Sequence, residues 1–89
     1  MSLDEFITFM LKKNGIKQQA VVCIEEMSEF QKELSKYLRG CGDKCHIIEE
    51  LADVQLTILE MQKAFHISSE DIERQMKYKM IRTLSRLED

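Results

Sequence analysis

Apolar residues recur along this chain at spacings of three and four rather than two, which predicts amphipathic helices and not strands. Ser2 reads as an N-cap with Asp4 and Glu5 in the first turn, and Phe6, Phe9 and Met10 lead to Lys13-Asn14-Gly15, a short helix closed by glycine. The pattern restarts at Ile16. Ile16, Ala20, Cys23, Ile24, Met27, Phe30, Leu34, Tyr37 and Leu38 predict a long second helix ending at Arg39-Gly40, and Gly40-Cys41-Gly42-Asp43 reads as a loop. A third helix is expected over about 44–65, with Ile47, Leu51, Val54, Ile58 and Met61 on one stripe. Ser68 to Asp71 resembles a capping box with Asp where Glu or Gln is usual. It opens a fourth helix carrying Ile72, Met76, Met80, Leu84 and Leu87 at near-heptad spacing. The expected fold is all-α: one domain over 1–89, a bundle of about four helices with a long antiparallel pair.

Composition narrows the class. The 89 residues allow one domain, and the absence of Pro and Trp with only three Gly leaves few breaks for sheet-type turns. The longest apolar run, Ala20 to Ile24, is far short of the roughly 18 residues of a membrane span. A net charge of −3 offers no general attraction to nucleic acid or anionic membrane. Met1-Ser2-Leu3-Asp4-Glu5 has no basic start or apolar stretch, and three cysteines cannot all pair within one chain, so a reduced, cytoplasmic setting is expected. A chain of this size buries only about 60–65% of its unfolded surface. A homo-oligomer is therefore expected to complete the core.

The chemistry is acidic and occurs twice. Glu25-Glu26-Met27-Ser28-Glu29 lies mid-way along the second predicted helix, and Glu49-Glu50-Leu51-Ala52-Asp53 lies early in the third. Residues i and i+3 share a helix face, so Glu26/Glu29 and Glu50/Asp53 form two pairs at the edges of apolar stripes. If those stripes pack together in an antiparallel hairpin, four carboxylates are brought to one place. Two like charges about 4 Å apart repel by roughly 4 kcal/mol at an effective dielectric near 20, so such a cluster calls for protons or cations. All-oxygen ligands favour Mg²⁺ or Mn²⁺ over zinc, and Mg²⁺ on a few carboxylates commonly takes further ligands from substrate phosphates. Glu25 and Glu33 flank the set and could hold a second ion or orient water. The plain alternative is that these acidic pairs are solvated helix faces.

Glu25-Glu26-Met27-Ser28-Glu29 followed by Glu50-Leu51-Ala52-Asp53-Val54 resembles the EExxE…ExxD signature of the MazG-like, all-α nucleoside triphosphate pyrophosphohydrolases, and the likeness extends over roughly 16–87. Gln19, seven residues before Glu26, stands where many members carry glutamine. Lys79-Met80-Ile81-Arg82-Thr83 is similar to the family's basic segment, with Ile81 where asparagine is frequent. The resemblance implies Mg²⁺-dependent hydrolysis of nucleoside triphosphates to monophosphate and pyrophosphate by dimers, or by tetramers built from dimers. It implies Glu26, Glu29, Glu50 and Asp53 as metal ligands, a metal-site core over about 16–65, and a basic C-terminal helix over about 69–88.

Lys79, Arg82 and Arg86 fall at i, i+3 and i+7, a basic stripe able to meet a triphosphate, from the same chain or from a second copy. The plainer reading pairs that face with Glu73 or Glu88. Gln19 could contact a base through its amide, and Phe6, Phe9 or Tyr78 could stack on one; packing is the alternative for each. Glu60, late in the third helix, is expected to be a bystander. Cys41, Cys45 and His46 lack a fourth zinc ligand nearby, Cys23 reads as core, and His66 as a turn residue. A carboxylate-bridged di-iron bundle would need Glu-x-x-His pairs, and the chain has none. Two functions remain: the pyrophosphohydrolase, and a catalytically silent member of the same fold acting as a helical assembly or nucleotide-binding module.

Overall fold

A computed structural model describes residues 1–88 and is helical throughout, with α1 over Leu3–Leu38, α2 over Lys44–Ala64 and α3 over Ser69–Glu88. Each start has the local chemistry that the orphan amides of a first turn require. Ser2 and Glu5 form a reciprocal capping box; Asp43 Oδ1 accepts from the Cys45 amide at 2.8 Å. Ser68 and Asp71 exchange hydrogen bonds at 3.1 and 3.3 Å, a capping box closed by aspartate. Two helix ends share one solution. At the end of α1 the Cys41 amide donates to the Lys36 carbonyl and the Gly40 amide to that of Tyr37, with Gly40 at φ 81°. At the end of α2 the Ile67 amide reaches Gln62 and the His66 amide Lys63, with His66 at φ 55°. Both are Schellman ends, the second made with a residue that favours the left-handed region less than glycine does.

Among the described residues three helices stand where the sequence pattern predicts four, and the difference lies at Gly15. It sits inside α1 at φ 82°, ψ 165°, a conformation essentially confined to glycine. The break has a purpose in packing. Gln19 on α1 bonds Glu60 on α2, and Glu26 meets Asp53, so residue numbers rise on one helix as they fall on the other and the pair is antiparallel. On that register a straight α1 would overrun the end of α2 near Gly15. The break instead turns Leu3–Asn14 over the C-terminal half of α2. Phe6 and Met10 border a cavity with Leu56, Thr57 and Glu60, and Asp4 reaches Lys63 at 2.7 Å.

The face of α1 turned to α2 keeps only part of the predicted apolar stripe, Ala20, Cys23 and Phe30. The buried and half-buried line is Gln19, Cys23, Glu26, Phe30 and Glu33, while Ile24, Met27, Leu34 and Leu38 are exposed. On α2, Thr57 and Glu60 are buried and Ile47, Val54 and Met61 of the predicted stripe are half-buried, whereas Leu51 and Ile58 are exposed. Glu26 and Glu50, both half-buried, therefore share the seam with part of each apolar stripe, and the rest of the stripe is left exposed. Ile7 and Cys23 are the buried apolar residues among those described. Among the described residues α3 packs on neither α1 nor α2, and Met76, Met80, Leu84 and Leu87 are exposed. No helix among the described residues is long and apolar enough to cross a membrane.

Candidate metal centre

Glu26 projects from the middle of α1, Glu50 and Asp53 from successive turns of α2, and each offers a carboxylate oxygen within 4.8 Å of the other two. The i, i+3 spacing on α2 puts its two carboxylates on one face, and the antiparallel register carries Glu26 across to them. Burial, then the Asp53 charge and a hydrogen bond shared with Asp53, then the charges of Glu50 and Glu29, raise the Glu26 pKa above its ordinary 4.5. Glu50 is raised as well, first by burial and then by Asp53, Glu29, Glu33 and Glu49. Glu50 Oε2 is buried with no hydrogen-bond partner. Buried polar atoms are nearly always partnered, which marks this oxygen, like Oε2 of Glu33, as an unsatisfied acceptor. The donor set is all oxygen, which fits a hard divalent ion.

The other sequence-predicted residues fall in different places. Glu29 is exposed and outside the three-carboxylate group, although its charge is felt at both Glu26 and Glu50. Glu25 is exposed. Glu33 is buried, holds Lys36 through Oε1 at 3.3 Å, and leaves Oε2 without a partner. Lys79, Arg82 and Arg86 are exposed on α3 and are not brought to the carboxylates of their own chain. Arg82 lies over the Tyr78 ring at 5.8 Å, and the ion pair recorded on α3 is Arg74–Asp71, not one with Glu73 or Glu88. Cys41 and Cys45 are exposed free thiols, Cys23 is a buried one, and His46 stands 3.7 Å from Asp43. Cys41, Cys45 and His46 form no metal-ligating group among the described residues.

A cavity of about 200 Å³ adjoins the carboxylates, walled by Phe6, Met10, Val22 and Leu56 and carrying polar groups from Asn14, Gln19, Thr57 and Glu60 besides Glu26 and Asp53. Gln19, 1% exposed, donates to Glu60 Oε1 at 2.8 Å and accepts from Asn14 Nδ2 at 2.8 Å. Glu60 was expected to be a bystander; it is 3% exposed and lines the cavity beside the candidate site. The signal that could have found it is positional. Glu50, Asp53, Thr57 and Glu60 are spaced 3, 4 and 3, a helical line in which polar residues recur on one face of α2.

No protein-family model matches the chain, and neither the curated proteins nor the solved structures compared with it give a match.

Proposed function

We propose that this protein is a Mg²⁺-dependent nucleoside triphosphate pyrophosphohydrolase, with Mn²⁺ able to replace Mg²⁺. The observation that carries the reading is the meeting of Glu26, Glu50 and Asp53 from two helices beside a cavity, with a buried oxygen of Glu50 unpartnered. The EExxE…ExxD resemblance supports it independently of that geometry. Glu26, Glu50 and Asp53 would hold the ion, with Glu29 as the fourth carboxylate. A divalent ion bound there supplies Lewis acidity toward phosphate oxygens and a water acidified for attack on phosphorus.

The chain's own residues set the rest. Glu26 and Glu50 must both be deprotonated to act as ligands, and the charges that raise their pKa values are the ones a cation would relieve. The cavity beside Asp53 takes the nucleoside end, because apolar side chains of Phe6, Met10, Val22 and Leu56 line it together with polar groups. The triphosphate end needs cations. Lys79, Arg82 and Arg86 answer that need from a second copy, since α3 stands clear of its own hairpin.

Area supports the assembly. The chain exposes 7203 Å², whereas a folded monomer of this mass exposes about 5,400 Å². A surplus of that order per subunit matches the larger, obligate class of interface. The test is pyrophosphate release from the eight common ribo- and deoxyribonucleoside triphosphates with Mg²⁺ or Mn²⁺. Release from at least one, abolished by EDTA, is expected. Release from none, with the protein folded and metal present, overturns the hydrolase and leaves the silent helical module.

A further inference from the structure

Residues 3–14 of α1 lie against α2 as an arm that is only partly seated. Ile7 is the buried apolar residue of the arm, while Leu3, Phe6 and Phe9 are exposed. A cavity borders it on each side. One, of about 410 Å³, lies between Leu3, Asp4 and Ile7 of the arm and Leu59 and Lys63 of α2. The other, of about 200 Å³, is bordered by Phe6, Met10 and Asn14 of the arm and by Glu26, Asp53 and Thr57 of the helix pair. Segments with few buried apolar contacts open at the lowest free energy in a fold. The ion pair between the arm and α2 joins Lys63 Nζ to Asp4 Oδ1 at 2.7 Å, with the Asp4 side chain 80% exposed. Pairs of that kind hold weakly and are screened by salt. At the other end of the arm stands Gly15, with φ 82° and ψ 165° and no atom within 4 Å of where a Cβ would be. The backbone can turn there without meeting a neighbour at that position.

We propose that residues 3–14 form a hinged lid over the cavity beside the carboxylates, turning at Gly15 and latched by Asp4 and Lys63. With the lid down, the cavity of about 200 Å³ is smaller than the roughly 300–1,000 Å³ of pockets that hold drug-sized ligands. A ligand of that size needs the arm to lift. Closure then brings Phe6 and Met10 back over the ligand and shields the Glu26 and Asp53 side from water, the gating that hinged lids provide. The lid governs access to the cavity and does not depend on which reaction follows. Opening also has a local signature. A helix shorter than about 12–15 residues is marginal on its own in water, so a lifted arm exposes the amides of residues 7–14 to exchange.

The test is hydrogen exchange on the full-length protein, read peptide by peptide by mass spectrometry. Amides 7–14 are expected to exchange at least about tenfold faster than amides 20–33. Asp4→Asn and Lys63→Met should each speed exchange of 7–14 at low salt and remove its response to added NaCl, leaving 20–33 unchanged. The double variant should be no faster than either single one, because both break the same contact. Thr57→Cys then reads the cavity itself, since Thr57 is 5% exposed and lines it. Alkylation of that thiol by iodoacetamide, assigned by peptide apart from the native cysteines, should accelerate when Lys63→Met is added. Exchange of 7–14 as slow as that of 20–33, and indifferent to both latch variants, overturns the lid. Fast exchange with alkylation at position 57 unmoved by Lys63→Met overturns it as well, because the arm then frays without opening the cavity. Circular dichroism checks that each variant is folded, and if Thr57→Cys is not, the exchange result decides. No turnover is needed, so this outcome is separate from that of the pyrophosphate-release assay.

Discussion

Glu50 and Asp53 differ from their neighbours in one respect: each side chain meets Glu26 across the helix seam as well as the other on its own helix. Glu50→Gln or Asp53→Asn removes a charge and almost no volume, so helicity should persist while hydrolysis falls by on the order of 100-fold or more, as loss of a ligand exceeds the 10–100-fold typical of outer partners. A parallel loss of helical signal in both variants would assign the effect to folding instead. Protonation gives a second handle on these residues. Glu26 and Glu50 have folded pKa values raised above the ordinary 4.5, so the metal-free fold binds more protons than the unfolded chain. Their contribution favours folding below about pH 4.5 and is lost as pH rises through the raised values. On the proposed reading, a divalent ion held by the deprotonated pair should reverse that loss, adding about 2.7 kcal/mol at a hundredfold excess over Kd. The melting-temperature gap between Mg²⁺ and EDTA samples should widen as pH rises from 4.5 to 7 and collapse in Glu50→Gln. A gap that is absent or flat with pH would rule out a metal bound by these carboxylates.

Element behaviour turns on Gly15. Nothing lies within 4 Å of where a Cβ would be, so any penalty for a side chain there comes from the backbone alone. Gly15→Ala should cost about 1–3 kcal/mol, the range for a residue held in a sparsely populated conformation. An alternative relief is to straighten α1, which would carry Phe6, Met10 and Asn14 away from the cavity and separate Asp4 from Lys63. Urea denaturation reads the first outcome and loss of nucleotide binding the second. A variant with unchanged stability and unchanged binding would mean that the break does not build the cavity. The glycine was legible in the sequence as a helix end, because Lys13-Asn14-Gly15 interrupts the apolar spacing. Its role as a corner within α1 was not, since that depends on where α2 stops.

At the scale of the whole molecule the hairpin is open. A radius of gyration of 16.1 Å exceeds the roughly 12 Å of a compact domain of this length, and α3 projects with its apolar side uncovered. Leu84, 58% exposed, sits in the middle of that side. On the proposed assembly, Leu84→Glu should shift the protein to a smaller or aggregated species and lower the proposed hydrolysis with it. Sedimentation velocity measures this directly. A wild type that sediments as a 10.5 kDa monomer at micromolar concentration would overturn the assembly and remove the second copy from which Lys79, Arg82 and Arg86 are proposed to act.

Local chemistry determined what the sequence could: helix starts at Ser2, Asp43 and Ser68, the loop at Gly40, the all-helical class and the two acidic pairs, because caps and i, i+3 faces depend on neighbours a few residues apart. The rotation of each helix about its axis was a tertiary decision. Apolar spacing alone turns Cys23, Ile24, Met27, Phe30 and Leu34 toward α2; the packed pair keeps Cys23 and Phe30 there but adds Gln19, Glu26 and Glu33 and leaves Ile24, Met27 and Leu34 exposed. A stripe marks a face that wants cover without naming what covers it, and one chain has too little surface to cover two faces. The same choice of face joined Glu26 to Glu50 and Asp53, left Glu29 at the rim, and paired Gln19 with Glu60 across 41 residues of sequence. That last contact depends on helix register, and register is set only when the two helices meet.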